Sequence, residues 1–156
     1  MKSRYDQKIR EGARPFLDHG EEVQASFIAR PRGWTQSIAG GASFVAAAIG
    51  SSKAARNVAA ASAVFPITSP MALAVSQHRL LAFRISEPMG FGIGGAVKAL
   101  VGAVPVAAVD AITIRRLLIG KTVTVTVSGV PIVLEAGAMA DAKGLVAAFE
   151  RARNSR

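Results

Sequence analysis

The chain has 156 residues, a formal net charge of +9 and no cysteine. That length suits one domain, spanning residues 1–156, with a sizeable core. The lack of cysteine excludes disulfides and thiolate metal sites and predicts a reducing, cytoplasmic compartment. Hydrophobic residues make up 51% of the sequence but aromatics only 6%, so the apolar content comes in small Ala and Val pieces. Basic residues are spread along the chain rather than gathered in a tail. Such a charge favours anionic partners, nucleic acid or membrane headgroups among them, although an ordinary solvated surface accounts for the same count.

The opening stretch, MKSRYDQKIREGARPF, is charged throughout and lacks an apolar h-region, so no secretory signal is expected. Tyr5, Ile9, Ala13 and the pair Phe16 and Leu17 recur at spacings of three to four. This predicts an amphipathic helix over 3–18, ended near Gly20. Residues 22–30 then alternate as Val23, Ala25, Phe27 and Ala29, the pattern of a half-buried strand, and Pro31-Arg32-Gly33 closes it.

Residues 36–65 differ in texture. They are almost all Ala, Gly, Ser and Val, with Lys53 and Arg56 as the only charges. Small residues let backbones approach closely, which predicts a helical hairpin inserted after the first strand, with Gly50-Ser51-Ser52 as its corner. Residues 33–52 carry no charge and are nominally long enough to cross a bilayer. Ser, Gly and Ala dilute that run. Three readings stay open: a hairpin packed on protein, a shallow reversible membrane insertion, and a spanning helix. Phe44, Val45, Ile49, Lys53 and Arg56 are the candidate contacts to a partner or a membrane.

From Pro70 the pattern is β. Two apolar runs, 71–75 and 80–85, flank Ser76-Gln77-His78 and predict a hairpin. Residues 86–98 are Gly-rich and read as a loop. Val104, Val106, Val109, Ile112 and Ile114 supply strand propensity next. Gly120-Lys121 marks a tight turn. Val123, Val125 and Val127 then alternate with Thr122, Thr124 and Thr126, the clearest period-two signal in the chain. Ser128-Gly129 is a second turn, followed by a strand over 130–135. A closing amphipathic helix places Ala142, Leu145, Val146 and Phe149 toward the core.

In its details the β part resembles the bacterial pleckstrin-homology-like (PH-like) and GRAM-like families. The likeness rests on ALAVSQHRLLAFRI (72–85), VPVAAVDAITI (104–114), LLIGKTVTVTVSG (117–129) and the closing helix 140–153. The turn at Ser76-Gln77-His78 departs from the Thr-Asp or Thr-Asn type usual in those families. The resemblance implies an α+β fold: a seven-stranded antiparallel barrel with a C-terminal helix, here with an N-terminal helix and an Ala/Gly-rich helical insert. It also implies a binding scaffold rather than an activity, since fold alone does not fix function.

Few residues offer chemistry. Gly90, Gly92 and Gly95 spell GxGxxG, but a dinucleotide site needs that loop between a parallel strand and a helix, with an acid about 20 residues on. The surrounding pattern is antiparallel and Asp110 comes too early, so an inter-strand loop is expected. His19 and His78 read as corner and turn residues, and no metal ligand set forms around them. Asp110 lies inside an apolar run and is expected to face solvent or to pair with Arg115 or Arg116. No nucleophile, base and acid can be assembled, so no enzyme, cofactor or metal is expected. In lipid-binding PH domains basic residues near the open end of the barrel hold phosphates. By that resemblance Arg79, Arg84, Arg115, Arg116 and Lys121 are the candidate anionic-ligand patch.

The leading reading is a non-catalytic binding or adaptor domain that contacts an anionic membrane surface, at the inner face, or a protein partner. One alternative is a structural homo-oligomer assembled through the insert. Another is a nucleic-acid-binding module, disfavoured because the aromatics are not interleaved with the basic residues.

Overall fold

The computed structural model describes residues 4–31, 70–89, 93–118, 120–137 and 140–155. The expected insertion over 36–65, with Phe44, Val45, Ile49, Lys53 and Arg56, lies outside the described residues.

The N-terminal helix α1 spans Arg4–Ala13 and gives way to a 3-10 turn over Arg14–Phe16. It is shorter than the expected 3–18 because Pro15 cannot continue an α-helix by donating a backbone hydrogen bond. Seven strands follow: β1 (Val23–Pro31), β2 (Met71–Ser76), β3 (Arg79–Ile85), β4 (Val97–Pro105), β5 (Val109–Arg116), β6 (Lys121–Val127) and β7 (Val130–Ala136). Helix α2, Ala142–Asn154, closes the order. Asp141 caps it by accepting a 2.9 Å hydrogen bond from the Gly144 amide.

All strand pairs are antiparallel and form one sheet in the order β4-β3-β2-β1-β7-β6-β5. The order forces curvature. In a flat sheet of seven strands the two edges would stand about 29 Å apart. Yet the edge strands β4 and β5 are joined by only the 3-10 turn Val106–Ala108, which reaches roughly half that distance. The sheet therefore curls until its edges meet at this corner. Two backbone bonds fix the closure. The Val106 amide donates to the His78 carbonyl at 2.9 Å, and the Ser128 amide donates to the Ala108 carbonyl at 3.1 Å. The corner thus links the β2–β3 turn to the β6–β7 turn.

Curvature divides the core into two. The concave face and α2 enclose the larger cluster, which includes Phe27, Leu73, Leu80, Val123, Val125, Leu134, Leu145 and Phe149. On the convex face α1 covers the β2–β3 region, where Ile9 and Ala13 pack with Ala72, Ala74, Leu81, Phe83 and Ile85. The Phe16 and Phe83 rings lie 6.0 Å apart and tilted. Every residue of β2 is consequently buried. Two-sided burial explains why 71–85 reads as nearly continuous apolar sequence, whereas β6, covered on one face, alternates Thr and Val.

Two loop readings change. The strand-prone stretch that carries Val104, Val106, Val109, Ile112 and Ile114 is divided by the 106–108 corner, and β4 begins at Val97, inside the 86–98 stretch expected to be loop. The Gly-rich connection leads from one antiparallel strand to its neighbour. Among the described residues the element that follows it is strand β4 rather than a helix, so the GxGxxG spelling is not followed by a helix N-terminus that could receive a pyrophosphate. Ser128 and Gly129 both have positive φ, 49° and 80°, as a type I′ two-residue hairpin requires.

Candidate functional site

Because the strands alternate in direction, the connections fall into two groups. The turns at 77–78, 106–108 and 128–129 lie at one end of the sheet. At the other end are the exit from β1, the entry to β2, the β3–β4 connection 86–96, the β5–β6 connection 117–120 and the segment leading into α2. The two ends differ in chemistry.

The turn end holds a buried ion pair. Glu21 is 6% exposed and accepts from Arg79 at 2.6 and 3.0 Å and from the Ser76 hydroxyl at 2.6 Å. Its second oxygen also accepts from the Asp18 amide at 2.8 Å. The Arg79 hydrogen bond, joined by those from Ser76 and Asp18, outweighs burial and holds the Glu21 carboxyl at about 2. The same pairing raises the Arg79 guanidinium. Arg79 also donates to the Phe16 carbonyl at 3.3 Å and lies 3.8 Å from Asp18. These contacts tie the segment after α1 to the β2–β3 hairpin.

A second buried pair joins α1 to β1. The Ser26 hydroxyl donates to Asp6 at 2.5 Å. Arg10 donates to Asp6 at 2.9 Å, to the Val23 carbonyl and to the Gln24 carbonyl at 2.6 Å. Asp6, Glu21, Ser26 and Ser76 are the buried polar side chains among the described residues. All four are engaged in these two clusters, which cross-link elements. A carboxylate held at about 2 is also poorly matched to proton transfer at neutral pH.

The loop end is cationic and apolar. Among the described residues the exposed large apolar side chains are Met89, Ile93, Leu117 and Leu118, and all four lie on its two connections. Arg84, Arg115 and Arg116 are exposed there. The register sets Arg116 opposite Lys121 and Arg115 opposite Thr122, so these cations flank the β5–β6 tip. Lys121 donates to the Ala140 carbonyl at 2.9 Å, anchoring the approach to α2. Arg30 pairs with Glu87 at 2.6 Å.

Hydrogen bonds hold the described residues of these loops. At the β5–β6 tip the Leu117 amide donates to the Gly120 carbonyl at 3.1 Å, and Gly120 has φ 83°. The β3–β4 connection is pinned by α1. The Tyr5 hydroxyl donates to the Ile93 carbonyl at 3.1 Å and Lys8 donates to the Gly94 carbonyl at 2.9 Å. Gly94 has φ 74°, and a Cβ there would strike the Glu87 carbonyl oxygen.

Of the five candidate patch residues, the fold brings Arg84, Arg115, Arg116 and Lys121 to the loop end. Arg79 stands at the opposite end, committed to Glu21. Asp110 is exposed and accepts from the Gly129 amide at 2.8 Å. It stands second in β5, and Arg115 and Arg116 end that strand, so of the two expected alternatives Asp110 faces solvent and does not pair with either arginine. His19 and His78 are exposed corner and turn residues. Sequence reasoning noted Leu117 and Leu118 only within the run 117–129 and did not single out Met89 or Ile93. The available signal was an apolar run between Arg115-Arg116 and Gly120-Lys121, where turn chemistry favours small polar residues.

Among the described residues, no helix is long and apolar enough to cross a membrane, and no group of three or more His, Asp or Glu side chains could hold a metal ion. No family model and no curated protein matches the chain.

Proposed function

We propose that the chain is a non-catalytic PH-like binding domain that presents its loop end to an anionic membrane surface. The observation that carries this reading is the gathering of the exposed apolar side chains Met89, Ile93, Leu117 and Leu118 at one end, among Arg84, Arg115, Arg116 and Lys121. The PH-like part is supported by a sequential meander of seven strands, curled so that β1 meets β7, with a helix packed on the concave face. The non-catalytic part is supported by the engagement of the buried polar side chains in structural contacts.

Charge supplies attraction at a distance. A Lys or Arg near an anionic leaflet contributes about 1 kcal/mol, and the effect fades within a Debye length of about 10 Å at moderate salt. The cations of the loop end together provide a binding energy that salt weakens. At the turn end Asp18, Glu21, Glu22 and Asp110 offset Arg79 and Arg153, so that end has no such bias and the domain approaches with a defined orientation.

Flotation of the purified full chain with vesicles tests the reading. Binding to phosphatidylserine-containing vesicles, weaker on pure phosphatidylcholine and reduced by salt, is the expected result. Equal recovery with both compositions at every salt concentration would refute it.

A further inference from the structure

We propose that the β5–β6 tip is a lipid-inserting wedge, with Leu117 and Leu118 entering the boundary between headgroups and acyl chains while Arg115 and Arg116 remain at the phosphates. The proposal rests on the membrane reading above and assigns its insertion site.

Position comes first. Leu118 is 106% exposed and Leu117 46% exposed, and both lie beyond the last paired residues of the hairpin, Arg116 and Lys121. The concave-face stripe of β5 ends at Ile114, so neither leucine seals that core. Exposed single leucines need no explanation, but two in succession at a turn depart from the residues that turns ordinarily use.

Preorganisation comes second. The Leu117–Gly120 hydrogen bond and the left-handed Gly120 close the tip. A Cβ at position 120 would come within 2.6 Å of the Ala136 carbonyl oxygen. Glycine thus lets the tip lie close against the end of β7, where a side chain would not fit. The leucines therefore stand at a tip closed between Leu117 and Gly120, which lowers the ordering entropy that opposes insertion.

Charge selects the occupant. Over residues 109–127 the sole acid is Asp110, at the far end of the hairpin, whereas Arg115, Arg116 and Lys121 surround the tip. A hydrophobic protein groove would accept the leucines without needing this collar. An anionic bilayer matches both features at their own depths: phosphates for the guanidiniums, which bind them in bidentate fashion, and hydrocarbon for the leucines below.

The absence of cysteine from the sequence allows single-site labelling. The full chain would carry Leu118→Cys, or Asn154→Cys at the C-terminal end of α2, labelled with an environment-sensitive fluorophore. It would be mixed with vesicles of equal parts phosphatidylcholine and phosphatidylserine. The expected result is a blue shift at position 118, quenched by brominated acyl chains, and no shift at position 154. In parallel, Leu117→Ala/Leu118→Ala is expected to lose at least about tenfold in vesicle partitioning, a loss that persists at high salt. Because both side chains are exposed, the variant keeps its fold. Bound protein whose label at 118 stays in water, or a double variant that partitions like the wild type, overturns the wedge while leaving membrane binding intact. Failure of the wild type to bind any vesicle removes the membrane reading, and the wedge with it.

Discussion

Replacing Glu21 by Gln isolates one charge within a buried cluster. The side chain keeps its size, but one acceptor oxygen becomes an NH2 that confronts the donors of Arg79 or the Asp18 amide. The folded protein holds the Glu21 carboxyl at about 2, against an ordinary value of 4.5. Each pH unit of that depression corresponds to about 1.4 kcal/mol, so the anion contributes about 3 kcal/mol to folding at neutral pH. The sign follows from linkage: a lowered folded pKa gives stability that is complete above the unfolded value and is lost as pH falls toward 2. Urea unfolding of wild type and Glu21→Gln should therefore differ by about 3 kcal/mol at pH 7 and by roughly half that at pH 3. A difference of the same size at both pH values would show that shape rather than charge is responsible. No difference at pH 7 would refute the assigned role of the pair.

Phe149 is fully buried beneath the concave face, so Phe149→Ala should lower the unfolding free energy by about 3–5 kcal/mol in the same urea assay. Asp141→Ala removes the cap of α2 and should cost about 1 kcal/mol, read as a shift of the urea midpoint. Gly94→Ala forces a Cβ onto the Glu87 carbonyl at a positive φ. It should increase hydrogen exchange in the β3–β4 connection while amides of β6 and β7 keep their protection.

Legibility in the sequence followed the range of the interactions. The Thr and Val alternation of β6 and the Ser128-Gly129 turn are encoded by neighbouring residues, and both form where the pattern places them. The apolar stripe of α1 and the closing helix were readable for the same reason. The corner at 106–108 was not, because Val106 is a good strand residue whose turn is imposed by closure with His78 and Ser128. Nor was the fate of Arg79. Its partner Glu21 is 58 residues away, so sequence spacing carried no sign of the ion pair. The cationic end was half legible. Arg115, Arg116 and Lys121 cluster around one turn in sequence, and Arg84 joins that end only through the pairing of β3 with β4. Burial decided the remainder: Leu80 and Leu81 are buried, while the similar pair Leu117 and Leu118 is exposed.

The central claim is that one end of the sheet faces an anionic bilayer, and charge reversal at each end tests it most directly. Two variants, Arg115→Glu/Arg116→Glu at the loop end and Arg151→Glu/Arg153→Glu at the C-terminus of α2, change net charge equally through exposed residues. Flotation with phosphatidylserine vesicles at low salt should recover the second variant nearly as well as the wild type and lose the first by more than about tenfold. Equal losses from both variants would contradict the account, because attraction would then depend on total charge rather than on the loop end.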